Sequence, residues 1–196
     1  MRKHEFKEIE NVEMAKKLLE NGTPMYVFDL ETTGLSSEMD RILSFSSIKM
    51  RKQNGLLKEE DRLDIFINPG FKIPDAVTAI NHIDNKRVKG CPREKEASRI
   101  IRSFWGKNPF ICGYNSIWFD LKFIEAMYQR SFRERFVPSM HLDVWRMAEE
   151  KLELPSHKLV HVCEHLGKDS GLKFHNSMDD VIATYRLMEI LMELYN

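Results

Sequence analysis

The sequence predicts an α/β layer fold built on a mixed sheet. Three observations carry this. Residues 25–67 hold three strand-like runs joined by short turns, which implies antiparallel pairing. From residue 74 onward, short buried strands alternate with helical patterns. No internal repeat, low-complexity segment or linker interrupts the 196 residues, so one domain spanning 1–196 is expected.

The elements follow in order. Residues 1–22 are charged, but Val12, Met14, Ala15, Leu18 and Leu19 recur at helical spacing before an Asn21-Gly22 stop, which reads as a short N-terminal helical extension. Residues 25–30 form a short apolar strand, ended by a turn at Gly34. A second strand is expected over 41–50, a hairpin turn at Asn54-Gly55, and a third strand over 63–67, closed by Asn68-Pro69-Gly70. Next come a short helix over 74–83 and a longer one over 94–105, with Ile100, Ile101, Phe104 and Trp105 on its apolar side. Residues 110–113 read as a buried strand, followed by a helix over about 121–130. A further strand over 140–142 precedes helices near 144–153, 158–166 and 179–195.

Composition narrows the function classes. Lys plus Arg and Asp plus Glu each total 30, so the formal charge is zero. That excludes broad electrostatic coating of nucleic acid but leaves room for a local basic track beside an acidic site. Cys91, Cys112 and Cys163 have no metal-binding spacing and read as reduced thiols. The N-terminal residues have no apolar run resembling a signal peptide, and no stretch is long and apolar enough to span a membrane. A cytoplasmic protein without a membrane partner is the expectation.

The chemistry concentrates at the end of the first strand. In Phe28-Asp29-Leu30-Glu31-Thr32-Thr33-Gly34, the two carboxylates are two positions apart and share one strand face. Like charges beside a core repel and lose solvation unless a cation joins them. Mg²⁺ or Mn²⁺ takes such oxygen ligands, whereas an isolated pair would equally well end an edge strand in solvent. Further acids sit at helix starts. Asp120 follows a buried strand and would serve as a helix cap, and Asp179 and Asp180 open the last helix, where the macrodipole favours acids. His175 precedes Asp180 by five residues and offers a titratable imidazole.

Together these segments resemble the three motifs of the DEDDh 3′ to 5′ exonucleases. The first is Phe28-Asp29-Leu30-Glu31-Thr32-Thr33-Gly34, the second Gly113-Tyr114-Asn115 leading to Phe119-Asp120, and the third His175 with Asp180. That family includes the proofreading epsilon subunit of bacterial replicative DNA polymerase, oligoribonuclease and ribonuclease T. The resemblance spans roughly residues 24–192, and takes in Ala79-Ile80-Asn81-His82-Ile83 and Leu142-Asp143 as weaker features. Two departures stand out: four residues separate Asn115 from Asp120, and Ser177 replaces a small apolar residue.

The resemblance implies a ribonuclease H-like mixed sheet with helices on both faces. It implies that Asp29, Glu31, Asp120 and Asp180 hold two Mg²⁺ or Mn²⁺ ions, with Asp180 rather than Asp179 selected by the spacing from His175. It makes His175 the general base for release of nucleoside 5′-monophosphates from single-stranded DNA or RNA with a free 3′ end. Thr32, His82, Asn115 and Trp118 are the implied substrate contacts. Core packing is expected for Phe119, while Trp118 suits either a core or a stacking role. Lys122, Arg130, Arg133 and Arg135 fit a phosphate track or a solvated helix face equally well.

Two rival readings are weaker. His157, His161 and His165, four apart, would share a helix face and suit zinc, but no second ligand group has matching spacing. A non-catalytic module that binds nucleic acid or a polymerase would be marked by loss of an acid or of the histidine, and none is lost. Nothing in the pattern separates monomer, dimer or proofreading subunit; a free-standing enzyme is the expectation.

Overall fold

The protein is described here by a computed structural model covering residues 8–174 and 176–195. Its strands are β1 (Met25–Thr32), β2 (Ile42–Gln53), β3 (Leu56–Phe66), β4 (Phe110–Gly113) and β5 (Met140–Asp143). They form one sheet in the order β3-β2-β1-β4-β5, with β1, β2 and β3 antiparallel and β4 and β5 parallel to β1. This is the mixed sheet that the short turns and later crossovers imply.

Strand β1 is central because both of its faces are apolar. Met25 and Val27 enter a core beneath helices α1 (Glu8–Glu20), α5 (Val144–Lys151), α6 (Leu159–His165) and α7 (Ser177–Glu193). Tyr26, Phe28 and Leu30 enter a second core beneath α3 (Glu94–Trp105) and α4 (Asp120–Phe132). The two-residue period therefore puts Asp29 and Glu31 on the Met25 and Val27 face, the one covered by α7. In the second core Trp105 stands edge-on to Phe28 and Phe45, at ring distances of 5.2 and 5.1 Å, and its indole N–H donates to Ser47 Oγ at 3.2 Å. A short helix, α2 (Asp75–Asn81), closes a third small cluster of Leu43, Ile73, Ile83 and Val88.

Most expected elements form, with instructive exceptions. The third strand begins at Leu56, directly after the turn, and not at residue 63. Lys58-Glu59-Glu60-Asp61-Arg62 lies outside the strand expected over 63–67, yet it is a solvated edge whose charges pair across strands, with Arg51 Nε at 2.7 Å and Lys49 Nζ at 3.2 Å from Glu60. Asn54 and Gly55 both take positive φ, 54° and 82°, as the two-residue hairpin requires. On α3, Ile101 and Trp105 are buried, but Ile100 is 38% exposed because it falls off the inward stripe. Helix α1 is more than an extension, since Val12, Ala15 and Leu19 complete the first core. Among the described residues no helix is long and apolar enough to cross a membrane.

Close approach at the end of β4 fixes Gly113. A Cβ there would collide with the buried Ser116 side chain and press on the Phe28 ring at 3.3 Å. Gly113→Ala is therefore expected to lower stability by about 1–3 kcal/mol. The urea midpoint measures this, and an unchanged midpoint would contradict the packing described.

Candidate active site

The sheet ends its central strands in carboxylates. Asp29 and Glu31 leave β1 on one face, opposite Ser46 and Ser44 of β2. These serines are small enough for the first turn of α7 to approach, and Ser177 Oγ lies 3.0 Å from Ser44 Oγ and 2.7 Å from Ser46 Oγ. Ser46 Oγ in turn donates to Asp64 at 2.8 Å. The departure at Ser177 thus has a partner set in β2. Asn176 caps α7, its side-chain oxygen accepting from the N–H groups of Met178 and Asp179. One residue past Asp179, Asp180 turns inward and is 9% exposed.

The result is a three-carboxylate cluster. One oxygen each from Asp29, Glu31 and Asp180 lie within 4.8 Å of one another. Asp179 does not join them and instead accepts from the Lys173 N–H at 3.3 Å. Asp120 is the first residue of α4 and is 5% exposed; it caps nothing, since the capping position is Phe119 and no side chain bonds there. It lines the same cleft as Asp29 and Asp180, although it stands outside the tight set of three. His175 lies outside the described residues.

Burial and mutual repulsion act on all of these acids. Burial first, then the charges of Asp120, Asp180 and Glu31, push the Asp29 carboxyl well above its usual range. Burial and the Asp180 charge raise Glu31 to about 7, opposed by a hydrogen bond from the Asn81 side chain. Asp120 is raised by burial and by the Asp143 and Glu31 charges, against a hydrogen bond from the Leu30 backbone N–H. Among the described residues no Lys or Arg pairs with Asp29, Glu31 or Asp120. Hard oxygen donors that repel each other and meet no cationic side chain fit a divalent cation of the Mg²⁺ or Mn²⁺ kind.

A cleft of about 850 Å³ opens over Asp29, Asp120 and Asp180, and its far wall includes His157, Lys158 and His161. A smaller hollow of about 360 Å³ lies on the other side of Glu31, lined by Asp64, His82, Arg87 and Asn176 among others. Asn115 faces the large cleft with a left-handed backbone, φ 54°. His82 is exposed at the end of α2, also left-handed, and borders the smaller hollow. Thr32 is 9% exposed, and its hydroxyl donates to the Gly34 carbonyl at 2.7 Å.

Trp118 is 57% exposed with Arg146 over its ring at 5.7 Å, and is not part of the cleft lining. Phe119 takes that place while packing on Phe123 at 5.0 Å. Arg130 is not available as a phosphate contact, since it pairs with both Glu94 oxygens at 2.7 Å and donates to the Ser37 carbonyl at 2.9 Å. The three histidines do not form one helical stripe, because His157 precedes α6 and its Nε2 contacts the Leu152 carbonyl at 3.0 Å.

Asn81 and Asp143 are contributors that sequence reasoning did not assign a role. Buried Asn81 donates to the Thr32 carbonyl at 3.5 Å, accepts from the Ile83 N–H at 3.1 Å, and bonds Glu31. The signal was its position in the Ala79 to Ile83 segment, one residue from the histidine that drew attention.

Glu31 links proton uptake to stability. Its folded value, about 7, exceeds the ordinary 4.5, so between these pH values the folded metal-free protein holds a proton that the unfolded chain has lost. Stability of that form accordingly falls as pH rises through the window, by on the order of 3 kcal/mol from this group. Glu31→Gln is expected to be more stable than wild type at pH 8 in chelator and less stabilised by added Mg²⁺. Urea titrations at pH 5 and 8, with and without the ion, measure both; equal slopes for the two proteins would contradict it.

Comparison with known proteins bears on the same residues. Residues 26–188 match the RNase_T family, described as exonuclease. The PolC-type DNA polymerase III of Pediococcus pentosaceus is 33% identical over 109 residues, which are 56% of this chain and 7% of that protein. The corresponding protein of Clostridium perfringens is 29% identical over 186 residues, 88% of this chain and 12% of the polymerase. E. coli exonuclease I in complex with a dT13 oligonucleotide shares the fold, with a TM-score of 0.69 at 21% identity over 86% of this chain and 41% of that one. The chain thus spans a small fraction of the polymerases and less than half of exonuclease I.

Proposed function

The chain belongs to the RNase_T exonuclease family, and from that premise we propose that it removes nucleotides from the 3′ end of single-stranded DNA or RNA in a metal-dependent hydrolysis. The observation that carries this reading is the meeting of Asp29, Glu31 and Asp180 within 4.8 Å, with Asp29 and Asp180 lining an open cleft and Glu31 a smaller hollow beside it. The names of the similar proteins, a DNA polymerase and an exonuclease seen with dT13, make DNA the first substrate to test.

Asp29, Glu31 and Asp180 would hold one Mg²⁺ or Mn²⁺ ion, and Asp120, from the α4 wall, would join Asp29 in holding a second. Bound there, the ions supply Lewis-acid chemistry, acidifying a water and offsetting charge on the leaving 3′ oxygen. The rest falls to side chains. Asn81 orients Glu31 through its hydrogen bond. His175, neutral at working pH, takes the proton from the attacking water. Asn115 faces the strand from the cleft wall, and His82 meets it beside Glu31. Thr32, whose hydroxyl is engaged, contributes through its backbone, and the exposed Trp118 ring offers a stacking surface at the rim. The products are nucleoside 5′-monophosphates.

Incubation with Mg²⁺ or Mn²⁺ and 5′-labelled DNA and RNA of one sequence tests the reading. The expected result is a ladder shortening from the 3′ end, absent with Asp29→Ala, and the faster ladder identifies the preferred sugar. His175→Ala should keep Mn²⁺ and oligonucleotide binding while losing roughly 10²- to 10⁴-fold in turnover. Wild-type turnover in that variant would remove the histidine from the mechanism; intact strands under every condition would remove the exonuclease.

A further inference from the structure

Asp143 ends β5 at 1% exposure, where an apolar residue would avoid the cost of burying a charge. No Lys or Arg among the described residues forms an ion pair with it. Its carboxylate is instead held by three backbone donors. Oδ1 accepts from the N–H groups of Asn115 at 2.8 Å and Trp145 at 3.1 Å, and Oδ2 accepts from Ile117 at 3.1 Å. The Trp145 bond is an ordinary N-cap of α5 and would be made as well by serine. The other two have no capping purpose, because they reach across the sheet to the loop between β4 and α4.

The register makes that reach possible. Gly113, the last residue of β4, pairs with Asp143, so the loop leaves the sheet level with the carboxylate. From there the bonds run toward the catalytic cleft. Asn115, in its left-handed conformation, faces the cleft while its N–H is held by Asp143. Ser116 is 1% exposed, and its hydroxyl lies 2.8 Å from Nε2 of His141, also on β5. The Ser116 carbonyl accepts from the Leu121 N–H at 2.9 Å, the residue that follows Asp120. Two residues of β5 thereby determine where Asn115 points and where α4 begins.

We infer that Asp143 is a positioning residue for strand cleavage: its carboxylate clamps the 115–117 loop so that Asn115 and Asp120 are presented together to the substrate side of the cleft. The inference rests on the proposed exonuclease reading of that cleft. Asp143 touches neither the cluster of three acids nor the substrate; it acts through the backbone bonds that place the loop, and its charge also adds to the proton affinity of Asp120.

Asp143→Ser separates the two roles, because serine retains the α5 cap but is too short to span both loop amides. Asp143→Asn, which keeps the side-chain volume and leaves an NH₂ group facing one of the donors, is the second variant. For Asp143→Ser, hydrogen exchange at both the Asn115 and Ile117 amides should accelerate, and for Asp143→Asn at the one amide that meets the NH₂ group, while the remaining β4 and β5 amides keep wild-type protection. Turnover of single-stranded oligonucleotide should fall about 10- to 100-fold. Mn²⁺ affinity at Asp29, Glu31 and Asp180 should stay within about twofold of wild type. Exchange that rises evenly over the whole chain, or wild-type turnover with Asp143→Ser, would overturn the inference. A wild-type protein that cleaves no strand would overturn the reading of the cleft, while local exchange at residues 115 and 117 would still report whether the clamp exists.

Discussion

Repulsion among buried carboxylates governs the architecture around β1. Asp29 and Glu31 share a strand face, and the fold adds Asp180 from α7 and Asp120 from α4 to the same region. Burial raises the proton affinity of Asp29, Glu31 and Asp120, and neighbouring acid charges add to the effect. A chain selected for stability alone would avoid such a grouping, since apolar residues at the same positions would extend the two cores. The surroundings tolerate it because both faces of β1 are otherwise well packed, with Trp105 set against Phe28 and Phe45 on one side and α7 covering the other.

The acids of this end of the molecule divide by their donors. Asp143 is buried as deeply as any of them but is satisfied by three backbone N–H groups, so it needs no ion. Asp40 plays a similar part after β1, accepting from the Thr33 hydroxyl at 2.9 Å and the Ser36 N–H at 3.0 Å. The three-acid cluster is different in kind, because its carboxylates stand within 4.8 Å of one another and no described Lys or Arg pairs with Asp29 or Glu31. That difference separates carboxylates that hold loops from carboxylates suited to hold a cation.

The fold was largely legible because its signals are local. The apolar runs in 25–30 and 110–113, the Asn54-Gly55 turn, and the amphipathic 94–105 segment each act within a few residues. The failures were equally physical. The third strand was expected only from residue 63 because an edge strand facing water has no apolar alternation to reveal it, and Ile100 was placed inward although its position on the helix circumference faces solvent. Trp118 and Phe119 both lie in the turn before α4, and only packing decided that Phe119 would line the cleft while Trp118 stays exposed.

By itself the sequence determined the strand carrying Asp29 and Glu31, because residue type and a two-residue spacing fix which side chains share a strand face, while the order of the motifs and the preference for Asp180 over Asp179 came from the family resemblance. Only the tertiary structure decided which groups answer those acids. Asn81 reaches Glu31 from a helix 50 residues away, Ser177 meets Ser44 and Ser46 across two elements, and Asp143 holds amides on a different strand connection. Such bonds depend on register between strands and on the depth at which helices pack, and neither quantity is written in the spacing of one segment.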